Sequence, residues 1–201
     1  MNRSASVVTV VLLALGGVSA TYLLQRSSAP QISAEQRLLD SRKLLDVLPA
    51  GYYDNQPLER PLALGKVTLR HSILSGGYRA MRSGQTVAVL LRSRSEGYAG
   101  TLELLIAIDA NGRLLGVKTL EQRETPGLGG YLGEWPNAWL QRFTGKSRNE
   151  PTDPGWALKK DQGQFDQIAG ATITSRATLH AIHDALRYFD EHRELLLGAG
   201  P

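Results

Sequence analysis

No cysteine occurs among the 201 residues. That absence excludes disulfides, thiolate-ligated zinc, iron–sulfur clusters held by this chain, and thiol nucleophiles. It leaves the redox compartment open, because a cysteine-free protein folds in either. There is no internal repeat and no low-complexity tract. The chain also lacks a G-x-G-x-x-G spacing inside a βαβ unit, so a dinucleotide fingerprint is absent. The charge excess is only +4, and basic residues such as Arg37, Arg70, Arg92, Lys118 and Lys159 are scattered and not gathered with aromatics. A nucleic-acid surface needs such a cluster, so no nucleic-acid partner is expected. A catalytic centre is missing too. Glu121 and Glu124 are spaced as an acid/base pair can be, but nothing supplies a nucleophile or third partner, and both read as surface charge. His180 and His183 lie three apart on a helix, yet Asp184 faces elsewhere by spacing, so they read as solvated histidines and no metal is expected.

What the chain does have begins at its N-terminus. Val7–Leu24 carries no charge and is close to the roughly 20 residues a helix needs to cross a bilayer. Gly16 and Gly17 suit a membrane helix better than a soluble one. The rival reading is a cleaved signal peptide, with Arg3 in the n-region and Val18-Ser19-Ala20 as the cleavage site. Apolar residues continuing through Leu24 favour retention. The expected division is a cytoplasmic tip and transmembrane anchor over residues 1–26, then one domain over residues 27–201. A tail this short stays in the cytoplasm, which puts the domain in the periplasm.

Ser33 and Gln36 form a capping box for a helix running to about Leu48. Strands are expected at Val67–Leu69, Thr86–Leu91, Leu102–Ile108 and Leu114–Leu120, with Asp109–Gly112 as a hairpin turn. A glycine-rich loop follows over Glu121–Tyr131, then a short helix near Trp135–Phe143. A last helix starts near Thr174 or Ser175, either of which can cap it. Its core stripe is Leu179, Ile182, Leu186 and Phe189. The class is α+β: an antiparallel sheet with flanking helices. Trp135, Trp139 and Trp156 read as packing residues.

Two stretches can carry chemistry. Asp166–Ser175 is a turn of small residues feeding a helix. Gly170 and Ala171 let another molecule approach the backbone, and the helix start suits a phosphate among the hydroxyls of Thr172, Thr174 and Ser175. A plain capped loop is the alternative. Glu124-Thr125-Pro126-Gly127-Leu128-Gly129 is a stiffened turn against whose backbone a flat ligand can lie, or simply a long hairpin exit. Tyr98, in Gly97–Gly100, can sit beside such a ligand or pack in the core.

Together these stretches resemble the FMN-binding domain of the G subunit of Rnf/Rsx electron transport complexes, and more distantly the C subunit of the sodium-pumping NADH:quinone reductase. The acceptor pattern of these proteins runs Asp, two residues, Ser or Thr, Gly, Ala, Thr. Asp166, Gly170, Ala171 and Thr172 match it, with Ala169 where Ser or Thr is usual. Glu124–Gly129 is similar to the family's flavin-contacting loop, and the likeness covers nearly the whole chain. It implies FMN joined by a phosphoester to Thr172 through a dedicated flavin transferase. Asp166, Gly170, Ala171, Thr174 and Ser175 would surround the attachment point, and Glu124, Thr125, Pro126, Gly127, Leu128 and Gly129 would meet the flavin. It further implies a single-pass protein of the bacterial inner membrane, passing electrons among the other subunits of a membrane complex that links ferredoxin and NAD to ion movement. Read from the residues alone, a membrane-anchored scaffold or binding module without redox chemistry stays open.

Overall fold

The computed structural model describes residues 44–198, together with residues 13, 14 and 17. The expected membrane span and most of the Ser33–Leu48 helix therefore lie outside the described residues. No helix among the described residues is long and apolar enough to cross a membrane. The chain divides into two units, Met1–Leu45 and Asp46–Pro201, and the second is built on one sheet.

The sheet is a meander of β1 (Val67–Thr68), β2 (Ile73–Arg82), β3 (Gln85–Glu96), β4 (Thr101–Asp109) and β5 (Leu114–Glu121). Its strands pair antiparallel in sequence order. Three of the expected strands are observed near their expected limits, and β3 runs five residues further, to Glu96. β2 was not expected. Its sequence, ILSGGYRAMR, carries a Gly pair and two arginines that read as breaks in a strand pattern. The reason lies in its partners: the register shifts between Leu74 and Gly76, and a Cβ on Gly77 would sit 2.7 Å from the Leu90 carbonyl oxygen. The Asp109–Gly112 turn forms as expected, with Asp109 Oδ1 accepting from the amides of Asn111 at 2.9 Å and Arg113 at 2.8 Å.

β4 is buried along nearly its whole length. Leu102, Leu104, Ile106 and Ile108 alternate onto one face, where they join Val89 and Leu91 in the main core. Against β3 and β4 lies a 20-residue helix, α2 (Thr172–Glu191), which follows the four-residue α1 (Ala138–Gln141) and precedes α3 (Arg193–Leu197). The α2 stripe of Leu179, Ile182, Leu186 and Phe189 is at most 1% exposed, and each such side chain contributes about 1.5–3 kcal/mol by leaving water. Two limits differ from expectation. α1 is shorter than Trp135–Phe143, because its start is fixed by Asn137 Oδ1 accepting from the amides of Trp139 and Leu140. α2 starts at Thr172, and neither Thr174 nor Ser175 caps it; the N-cap position is Ala171, which makes no side-chain cap bond.

An aromatic cluster fixes the chain that leads into α2. Phe143 meets Trp139 edge-on with ring centroids 5.0 Å apart and stacks on Phe165 at 4.9 Å. Trp156 lies 5.1 Å from Phe165 and stacks on His183 of α2 at 5.1 Å. Trp139 and Trp156 are buried packing residues, as expected, whereas Trp135 is 38% exposed beneath the Lys118 ammonium. The Trp139 indole N–H also donates to the Asp166 carbonyl at 2.7 Å. The chain thus reaches Asp166 already fixed in position.

Candidate functional site

Both glycine-bearing stretches fold into the same kind of turn. In Thr125–Leu128 the Leu128 amide donates to the Thr125 carbonyl at 3.1 Å, with Pro126 second and Gly127 third at φ +77°. In Ile168–Ala171 the Ala171 amide donates to the Ile168 carbonyl at 3.0 Å, with Ala169 second and Gly170 third at φ +72°. A turn with positive φ at the third residue favours glycine there. Ala169 is exposed, so nothing in the fold requires a hydroxyl at that position.

The two turns lie against each other. A Cβ on Gly170 would sit 2.6 Å from Leu128 Cδ2, and one on Gly129 would sit 2.7 Å from Glu124 Oε2 and 2.9 Å from Thr174 Oγ1. Glu124 joins the walls. Its Oε2 accepts from Thr174 Oγ1 at 2.7 Å, and its Oε1 accepts from the amides of Tyr98 at 2.8 Å and Ala99 at 3.2 Å. At 6% exposure it is not surface charge, which corrects the sequence reading. Glu121, by contrast, is exposed.

Between these walls opens a cleft of about 380 Å³, lined by Tyr98, Glu124, Thr125, Leu128, Gly129 and residues 170–174. Its rim is apolar and accessible: Tyr98 is 71%, Ile173 48% and Leu128 41% exposed. Pro126 and Gly127 shape the turn but do not line the cleft.

The three hydroxyls of the acceptor stretch stand in different surroundings. Thr174 is fully buried and donates to the Glu124 carboxylate. Ser175 is fully buried; its Oγ donates to the Ala171 carbonyl at 2.8 Å and accepts from the Ile168 amide at 2.9 Å. Ser175 closes the Ile168–Ala171 turn and does not face the cleft. Thr172 is half-buried at the cleft mouth. Its Oγ1 donates to Gln167 Oε1 at 2.9 Å and accepts from Lys160 Nζ at 3.2 Å.

Asp166 does not line the cleft. Its carboxylate accepts from Lys159 at 2.9 Å and Arg142 at 3.1 Å. The Lys159 hydrogen bond and these two cations hold its carboxyl below the ordinary carboxylate range.

Ile173, Gln167 and Lys160 had no part in the sequence reading of the site. Ile173 and Gln167 lie within the acceptor stretch, but the face each presents depends on the turn. Lys160 is brought up by a separate turn twelve residues away.

A second cleft, of about 290 Å³, gathers His71, His180, His183 and Asp184. The His71 and His180 rings are 4.3 Å apart, and buried Asp184 accepts from the His71 amide at 2.7 Å and the Ser72 hydroxyl at 3.2 Å. The helix histidines are therefore half-buried, not solvated, and Asp184 does share their cleft. Among the described residues no group of three ligands could hold a metal ion.

The cleft has the features a flavin nucleotide needs. The missing Cβ atoms of Gly129 and Gly170 let Glu124, Thr174 and Leu128 close in as its walls, an apolar rim can cover the faces of a flat ring, and a hydroxyl stands at one end beside an ammonium. Residues 97–187 match the FMN-binding domain family model, a span that begins at the Gly97–Gly100 loop and ends within α2. Over nearly its full length the chain is similar to G subunits of ion-translocating oxidoreductase complexes. It is 45% identical to that of Pseudomonas aeruginosa strain UCBPP-PA14 over 92% of this chain and 88% of that one. It is 37% identical to one from Cereibacter sphaeroides over 99% and 91%. It is 32% identical to one from Vibrio vulnificus over 94% and 90%. A crystal structure of NqrC from Shewanella oneidensis aligns with a TM-score of 0.48 and 22% identity over 62% of this chain and 61% of that one. The full-length relatives and the FMN-binding domain together establish that the chain belongs to the G subunits of ion-translocating oxidoreductase complexes, the Rnf electron transport family.

Proposed function

We propose that this subunit carries FMN covalently, through a phosphoester on Thr172, and relays electrons within its complex. The observation that supports this most is the contrast among three hydroxyls. Thr174 and Ser175 are fully buried and committed to Glu124 and to the turn, whereas Thr172 stands at the cleft mouth. In the attachment step the Thr172 Oγ1–H bond breaks and an Oγ1–P bond forms. The bond from phosphorus to the leaving group of an activated flavin nucleotide breaks, and no electrons change hands. A flavin transferase supplies that nucleotide.

FMN, when bound, supplies one- and two-electron redox chemistry. This chain's residues bind and orient. Leu128, Tyr98 and Ile173 would cover a flat ring in the cleft and limit water at it, and Glu124 keeps the three walls in register. Both oxygens of Glu124, the carboxylate that lines the cleft, are held by hydrogen-bond donors, which suits a relay. Asp166 lies away from the cleft on an exposed surface, which suits recognition by the transferase. The reading extends to topology: residues 1–26 anchor the chain in the bacterial inner membrane, and residues 27–201 face the periplasm. There a covalent tether prevents cofactor loss.

Flavin fluorescence that stays with the chain after denaturation and gel separation is the expected result for protein made alongside a flavin transferase. A colourless chain under the same conditions would favour a scaffold without redox chemistry.

A further inference from the structure

We propose that Lys160 is the cation that binds the phosphate carried on Thr172, and that the Lys159–Asp161 turn exists to aim it there. The inference rests on the reading of Thr172 as the attachment point.

The three residues of this single 3-10 turn each reach the acceptor segment or the turn of α2 that follows it. Lys159 Nζ lies 2.9 Å from Asp166 Oδ1. Asp161 is gripped by Arg176 of α2 through N–O contacts of 3.0, 3.1 and 2.8 Å. Between them Lys160 Nζ donates to Thr172 Oγ1 at 3.2 Å. The backbone is fixed as well, since the Lys159 amide donates to the Phe165 carbonyl at 2.7 Å. With both neighbours tied down, the middle side chain is directed at one hydroxyl.

Charge points the same way. Lys159 and Asp161 are each matched by an opposite charge, whereas Lys160 bridges to no carboxylate among the described residues. An ammonium gains little from a neutral hydroxyl. Beside a phosphodiester the same ammonium makes a charge-assisted hydrogen bond, a contact about twice as strong as its neutral counterpart. The neighbouring hydroxyl offers the reverse: a phosphate on Thr174 would face the Glu124 carboxylate, whose Oε2 lies 2.7 Å from Thr174 Oγ1. Lys160 therefore favours phosphate at Thr172 both electrostatically and by position.

The test uses the full chain, made with and without a flavin transferase. Each form is treated with an amine-acylating reagent, and labelled lysines are mapped by peptide mass. Lys160 should label about threefold less in the flavin-carrying form, an effect of the size expected for an exposed charge contact, while Lys66 labels equally in both. Lys160→Met should slow FMN incorporation about fivefold, the upper end for an exposed charge pair, and Lys160→Arg should restore it. Lys160 is exposed, so an unchanged melting transition is expected for both variants. Equal labelling of Lys160 in the two forms overturns the proposal, as does incorporation by Lys160→Met at the wild-type rate. A wild-type chain that gains no FMN removes the Thr172 reading and this inference with it. FMN on Thr172 beside an unprotected Lys160 removes this inference alone.

Discussion

A buried carboxylate is costly unless donors meet its oxygens, and Glu124 meets three of them, two from the Gly97–Gly100 loop and one from α2. Hydrogen bonds to a charged group contribute about 1.5–3 kcal/mol. Glu124→Ala should therefore lower stability by roughly 2–3 kcal/mol, read from the denaturant midpoint. It should also broaden the amide resonances of Tyr98 and Ala99 as their loop comes loose. A midpoint shift under about 0.5 kcal/mol, the size of an ordinary surface substitution, would show that the carboxylate does not join the walls. The glycines of the neighbouring turn separate two effects. At Gly129 any Cβ meets Glu124 and Thr174, whereas at Gly127 the Cβ position is open and only the φ of +77° resists a side chain. Gly127→Ala should cost about 1–2 kcal/mol from the backbone alone, and Gly129→Val clearly more. Equal losses for the two would contradict the packing described here.

At the scale of elements, α2 holds the site's most informative residues and the protein's pH response. Burial lowers His180 and His183 below the ordinary value of 6.5, with the His71 ring adding to the effect on His180 and Arg187 to that on His183. The unfolded chain takes up protons near pH 6.5 that the folded chain refuses until lower pH. The stabilisation is therefore complete above about pH 6.5 and is lost as pH falls below it. The denaturant midpoint should be lower at about pH 5.5 than at about pH 8, and His180→Gln should narrow the gap. An unaltered gap in that variant would mean that His180 does not contribute. The α2 core stripe was plain in the sequence because its period of three and four survives any neighbour. Its start was not: the hydroxyls that look like caps at Thr174 and Ser175 are taken by Glu124 and by the Ile168 amide, one of them fifty residues away. β2 was hidden for a related reason, since Gly76 and Gly77 punctuate a strand only when their partners are unknown.

Over the whole molecule, the sequence pattern carried four of the five strands, the long helix that α3 follows, and the two turn motifs. It could not show that the motifs touch through Leu128 on Gly170, or that Lys160 joins them. Those contacts depend on the aromatic cluster that fixes the chain at Asp166. The anchor proposed for residues 1–26 is either retained or cleaved. Retention predicts that Edman degradation of the membrane-bound protein starts at or next to Met1, whereas a start at Thr21 would mean that a signal peptide is removed. The central claim is covalent FMN on Thr172, and it is tested most directly by intact mass and peptide mapping of the chain made with a flavin transferase. Wild type should gain the mass of one FMN less one water, mapped to Thr172, and a folded Thr172→Val should gain nothing. The same mass found on Thr174 or Ser175, or undiminished in Thr172→Val, would contradict the account.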